Sequence, residues 1–194
     1  MPVVMDMKKD IEIITRYILA LLPFVFFNQI FLFLKWITFS TLSLIFGLFT
    51  NVATNFEQGL IVINGQTISL IEPCIAVSAF ILLFLLNIVT LDIKIKNRVL
   101  AFLLSFGILF LFNIIRIIFL YSILNFNFFN TIHLVVWYGL STIVVVLDWF
   151  LMCRIFKIKT IPVISDIMYL IYSLKHDIRK ERARERKFRE EMNY

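Results

Sequence analysis

Residues 99–124 read VLAFLLSFGILFLFNIIRIIFLYSIL, an apolar run whose strongly polar members are Asn113 and Arg116. A bilayer core is crossed by roughly 20 apolar residues in a helix, and this run is longer than that. It reads as a membrane-spanning helix, and the rest of the chain is read around it. Of the 194 residues, 61% are hydrophobic and 22 are Phe, and mean hydropathy is +0.93. A soluble domain of this length sits nearer half apolar. The expected class is an all-α polytopic membrane protein built as one embedded domain.

Similar runs lie on both sides. Cys74 to Leu91 and His133 to Met152 each read as a span, and Ile11 to Leu34 reads as a first span that carries Pro23. Trp36 to Phe49 is shorter and holds Thr38, Ser40, Thr41 and Ser43, so it reads as a short interfacial or re-entrant helix. The count is about four transmembrane helices. The long interruption, 51–73, contains Leu60-Ile61-Val62-Ile63, then Asn64-Gly65, then Gln66 to Leu70. Asn-Gly between two β-type runs is the strongest short hairpin signal, because both turn positions need positive φ. A β-hairpin is expected at about 60–71. Residues 1–160 form the embedded domain, and 161–194 form an amphipathic and basic tail that opens on Ile164, Ile167, Met168 and Ile171.

Charge sets the expected sidedness. Lys94, Lys96 and Arg98 follow one span, and Arg154, Lys157 and Lys159 end the last one. The positive-inside rule puts these residues and the tail in the cytoplasm, together with Lys8, Lys9 and Arg16. The hairpin, Cys74 and the loop before His133 then face outward. With Trp36 to Phe49 left at the interface, four spans satisfy this parity; an outside N-terminus with five spans is the alternative. Most basic residues behind the net charge of +6 flank apolar segments or sit in the tail, which points to lipid headgroups as partner and not to nucleic acid. No small-residue cleavage site follows the first apolar run, so that helix is expected to be retained. Cys74 and Cys153 form no disulfide framework and no C-x-x-C spacing. No metal or cofactor is expected.

Three residues need a reason. Arg116 lies roughly 12 Å below the outer end of its helix, and a charge at that depth costs a few kcal/mol on insertion scales. Asn113 shares its face, and Asp148 is the evident intramembrane acid, toward the inner end of the last span. Cys74 alone reads as a small buried hydrophobe. It follows Glu72-Pro73 and opens a helix, however, where unpaired N–H groups and the dipole favour a thiolate, with Ser78 one turn on. His133 alone reads as a polar anchor at the start of the last span. Together the three fit a thiol nucleophile, a base for its proton and an anion-stabilising guanidinium. Cys153 reads as filler.

These features, in this order, resemble the exosortase–archaeosortase family and most nearly its compact archaeal branch, the pacearchaeosortases. The motifs that carry the likeness are Glu72-Pro73-Cys74-Ile75-Ala76-Val77-Ser78, Asn113-Ile114-Ile115-Arg116-Ile117 and His133-Leu134-Val135-Val136-Trp137-Tyr138-Gly139, within a stretch from Ile11 to Arg154. The resemblance implies a membrane cysteine peptidase or transpeptidase with Cys74, Arg116 and His133 as its active residues, and Asn113 and Ser78 in support. It implies as partners exported proteins that end in a short motif, a transmembrane helix and a basic cluster, and possible transfer to a lipid or other acceptor. Many members carry Ser or Thr and then Gly after the cysteine, where this chain has Ile75-Ala76. Two other classes stay open: a membrane scaffold or assembly factor acting through the basic tail, and a transporter or channel subunit with an anion site at Arg116.

Overall fold

The computed structural model describes residues 7–90, 93–158 and 164–192. Asp92, Lys159 and the expected 160/161 boundary of the tail lie outside the described residues.

The N-terminal region is one bent helix, in two parts. Helix α1 (Met7–Val25) carries Pro23, which offers no N–H, and the chain bends at Phe26 before α2 (Phe27–Gly47). Backbone bonds from Phe26 N–H to the Leu22 carbonyl and from Ile30 N–H to the Phe26 carbonyl, both 3.0 Å, carry the helix through the bend. This corrects the expected division. The apolar helix of spanning length begins at Phe27, not Ile11, and Trp36–Phe49 is not a separate interfacial helix, since residues through Gly47 continue α2. Its hydroxyls do not interrupt it. Thr41 Oγ1 donates to the Ile37 carbonyl at 2.8 Å, and Thr38 is buried. Lys35 also sits inside α2 without breaking it; its ammonium lies 4.7 Å from the Phe56 ring centroid.

Three strands follow: β1 (Val52–Asn55), β2 (Leu60–Ile63) and β3 (Gln66–Ser69), an antiparallel sheet in sequence order. The expected hairpin is present. Ile63 pairs with Gln66 across Asn64 (φ 51°) and Gly65 (φ 80°). Strand β1 adds a third member that its four residues, Val52-Ala53-Thr54-Asn55, do not announce. Alternation puts Ile61 and Ile63 inward at 0% exposure, against Phe39, Leu42 and Phe46 of α2.

The remaining helices are α3 (Glu72–Ile75), α4 (Val77–Val89), α5 (Ile95–Ser122), α6 (Phe129–Leu134), a π-helical segment (Val135–Leu140), α7 (Ser141–Ile155) and α8 (Ile164–Met192). α1 packs on α4, α4 on α5, and α7 on both α4 and α5. Side-chain neighbours give their directions. Arg98 near the start of α5 reaches the end of α4 at Asn87 and Thr90 and lies near Arg16. Leu34 meets Ile75 and Val77 in one apolar core, while Phe39 to Phe46 meet Ile114 and Ile117 in a second. α1–α2 and α5 therefore run toward the sheet, and α4 and α7 run away from it. Among the described residues three helices are long and apolar enough to cross a membrane: Phe27–Gly47, Ile95–Ser122 and Phe129–Ile155, the last counting α6, the π segment and α7 together. α4 is apolar but shorter. The chain is an α-helical membrane protein with a small β-sheet at one end.

Candidate active site

The site is assembled around a helix break. α3 is a single turn, and Ala76 after it adopts a left-handed backbone, φ 58° and ψ 34°, before α4 begins at Val77. Cys74 therefore does not open the long helix, as its sequence position promised. It sits in a separate turn between the two apolar cores, with its N–H bonded to the Ile71 carbonyl at 2.9 Å. The expected bias toward thiolate is reversed as well. Burial pushes the Cys74 thiol above its ordinary value, against the smaller lowering effects of the Ile71 backbone and the Arg116 guanidinium. A four-residue helix has almost no dipole to oppose that desolvation.

Arg116 holds this turn in place. Its Nη2 donates to the carbonyls of Pro73 and Cys74, each at 3.0 Å, and its Nη1 donates to Ser141 Oγ at 2.9 Å. Ser141 Oγ in turn donates to the Val136 carbonyl at 3.1 Å. The acceptors come from α3, α7 and the π segment, so one buried guanidinium joins three elements. Arg116 Nε is buried without a partner among the described residues. One turn below, Asn113 is 2% exposed, and both of its side-chain polar atoms also lack partners.

Cys74, Arg116 and His133 line one cavity of about 170 Å³, together with Ser69 at the end of β3, Leu70 after it, Tyr121 and Phe129 among others. The Cys74 Sγ lies 4.0 Å from the Ser69 carbonyl, its hydrogen-bond acceptor. His133 stacks on Phe129 with ring centroids 5.6 Å apart and leans on Trp137 at 6.2 Å. A second cavity of about 400 Å³ lies on the other side of Arg116, lined by Ser78, Trp137, Tyr138, Ser141 and Thr142 among others. Ser78 belongs to this cavity and not to that of Cys74, because the turn at Ala76 rotates α4 away from α3. Asn113 lines neither. Cys153 is far along α7, and Asp148 lies beside Ser105, both removed from the site.

Among the described residues no group of three His, Cys, Asp or Glu side chains is placed to hold a metal ion. Sequence reading missed Ser141 and the carbonyls of Pro73 and Cys74 as partners of Arg116. Ser141 carries a usable signal, a hydroxyl in an apolar run that has to find an acceptor or a donor. The carbonyls carry none, since only the fold brings them there.

No family model, curated protein or solved structure matches this chain.

Proposed function

We propose that the chain is a membrane-embedded cysteine peptidase or transpeptidase of the exosortase–archaeosortase kind. It would act on exported proteins that end in a short motif, a membrane helix and a basic cluster. The observation that carries this reading is the shared cavity of Cys74, Arg116 and His133, three residues from separate elements that a thiol-acyl mechanism requires together. In that mechanism Cys74 Sγ attacks the scissile carbonyl carbon and His133 takes the thiol proton. The C–N bond then breaks, and the amine leaves with that proton. The thioester left on Cys74 is released by water or by an acceptor nucleophile such as a lipid headgroup. Arg116 has two roles in this reading. Two of its N–H bonds hold the cysteine turn and a third reaches Ser141 Oγ, while the Nε–H, unpartnered among the described residues, is free for the oxyanion.

The backbone at Ala76 supports the resemblance as well. Family members commonly place glycine there, and this position has φ 58°, where glycine is the least strained residue.

In the same reading the protein lies in the cell membrane as a multi-pass chain. α1–α2 together form one pass, and α4, α5 and α6–α7 form three more. The sheet and the cavity face the extracytoplasmic side; Lys94, Lys96, Arg98, Arg154 and the tail face the cytoplasm. The scaffold reading draws on one observation of its own, the exposure of α8, where Met168, Ile171 and Tyr172 are uncovered.

The test is the processing of a tagged reporter bearing such a C-terminal signal, co-expressed with variants. His133→Ala is expected to stop processing, and a chain cut before Ile164 is expected to retain it. Processing lost with the tail but kept in His133→Ala favours the scaffold.

A further inference from the structure

We infer that the end of the bundle opposite the sheet binds an anionic phospholipid, its phosphate between Arg16 and Arg98 and one acyl chain in the groove beside them.

The charge comes first. Arg16 is 7% exposed, and its Nη1 is buried with no partner among the described residues. On its own helix, Nε donates to the Glu12 carbonyl at 3.2 Å, and Nη2 lies 3.7 Å from Glu12 Oε1. Arg98 stands close enough to interact with both Arg16 and Glu12. Its Nη1 donates to the Asn87 and Ile88 carbonyls at 2.6 and 2.5 Å, and its Nη2 donates to Thr90 at 2.8 Å. These carbonyls end α4 and supply only the partial negative charge of a helix terminus. Among the described residues, two guanidinium groups thus meet one mostly exposed carboxylate. A phosphate supplies oxygens for Nη1 of Arg16 and for the remaining N–H groups of Arg98, and guanidinium groups suit phosphate geometry.

The groove is the second observation. A cavity of about 540 Å³ is lined by Leu22, Pro23, Phe26, Phe84, Phe102 and Phe106 with their neighbours, and Gln29 is the one polar side chain in its lining. It lies beside the helix break at Phe26, between α1–α2 and the apolar side chains of α4 and α5. Leu22 is roughly 9 Å along the helix from Arg16, and Phe102 roughly 6 Å from Arg98. That offset is the one between a headgroup phosphate and the first part of an acyl chain. A free anion would leave the groove without an occupant; a neutral lipid would add no charge to meet Nη1 of Arg16. The inference needs the membrane placement and is independent of the chemistry at Cys74.

Native mass spectrometry of the full chain in detergent tests it, with phosphatidylglycerol, phosphatidylcholine of the same chains, and glycerol phosphate as probes. Wild type is expected to prefer phosphatidylglycerol about fivefold, the contribution of one basic residue near a headgroup. Arg16→Gln is expected to remove that preference, and Arg16→Lys to keep most of it. Leu22→Trp, which fills the groove, is expected to weaken both lipids alike. Equal binding of the two lipids by wild type, an unchanged preference in Arg16→Gln, binding of glycerol phosphate as tight as that of the lipid, or no effect of Leu22→Trp would each overturn the inference. Should Arg16→Gln fail to fold, the wild-type and Leu22→Trp comparisons still decide it.

Discussion

Arg116 and Cys74 are linked through the backbone more than through their side chains. The guanidinium grips the carbonyls of residues 73 and 74, so a change at Arg116 moves the thiol as well as the local charge. Arg116→Gln removes both the grip and the charge that lowers the thiol's proton affinity. Alkylation of Cys74 by iodoacetamide follows the thiolate fraction, so its rate in wild type is expected to go on rising above pH 9.0. In Arg116→Gln the rate at any fixed pH is expected to be several-fold lower, with the rise displaced further upward. A plateau below pH 8 in wild type would contradict the burial argument. Ser141→Ala tests the opposite end of the grip. It leaves Arg116 Nη1 without its acceptor, and the expected loss is about 1–3 kcal/mol in denaturant unfolding. Of this site, Arg116 is the residue most legible in the sequence, because a charge inside an apolar run requires a partner whatever the fold. Cys74 was legible by position but not in its electrostatics: a motif shows the helix start, while the break at Ala76 depends on a backbone angle that no residue between Glu72 and Ser78 announces.

At the scale of elements, two of the turns with positive φ respond to substitution in opposite ways. Asn64-Gly65 closes the hairpin with residues suited to it, so Gly65→Val, at φ 80°, is expected to cost at least about 1 kcal/mol. Ala76 holds φ 58° with a side chain in place, so Ala76→Gly is expected to stabilise by up to about 1 kcal/mol or be neutral, the relief of strain being offset by entropy in the unfolded chain. Thermal unfolding in detergent compares the two. A marked loss of stability in Ala76→Gly would mean that the alanine methyl packs in a way the left-handed turn does not require. The hairpin could be read from sequence because Asn-Gly is a local signal. The extent of α2 could not. Lys35 and the hydroxyl of Thr41 look like an interface, yet Thr41 bonds a carbonyl of its own helix and Lys35 reaches Phe56 and Glu57 in the turn between β1 and β2. Hydropathy counts such groups as exposed and cannot see those partners.

For the whole molecule, the helix directions bring Arg16, Arg98 and Arg154 to the end away from the sheet, and the cavity of Cys74 to the end beside it. That arrangement does not depend on the bend at Phe26, since a bent helix and a straight one deliver the chain to the same end. A single cysteine placed at Asn64 in a Cys74→Ser, Cys153→Ser background is expected to react with an impermeant maleimide on intact cells, while one placed at Lys157 is expected to react only after permeabilisation. The reverse pattern would invert the proposed orientation and move the site to the cytoplasm.

Chemistry at Cys74 is the centre of the proposed mechanism. The direct measurement is the processing of the tagged reporter by wild type and by Cys74→Ala at equal amounts of membrane-inserted protein. The cysteine-peptidase account predicts that the reporter accumulates at full length in Cys74→Ala. Normal shortening of the reporter by that variant would contradict it.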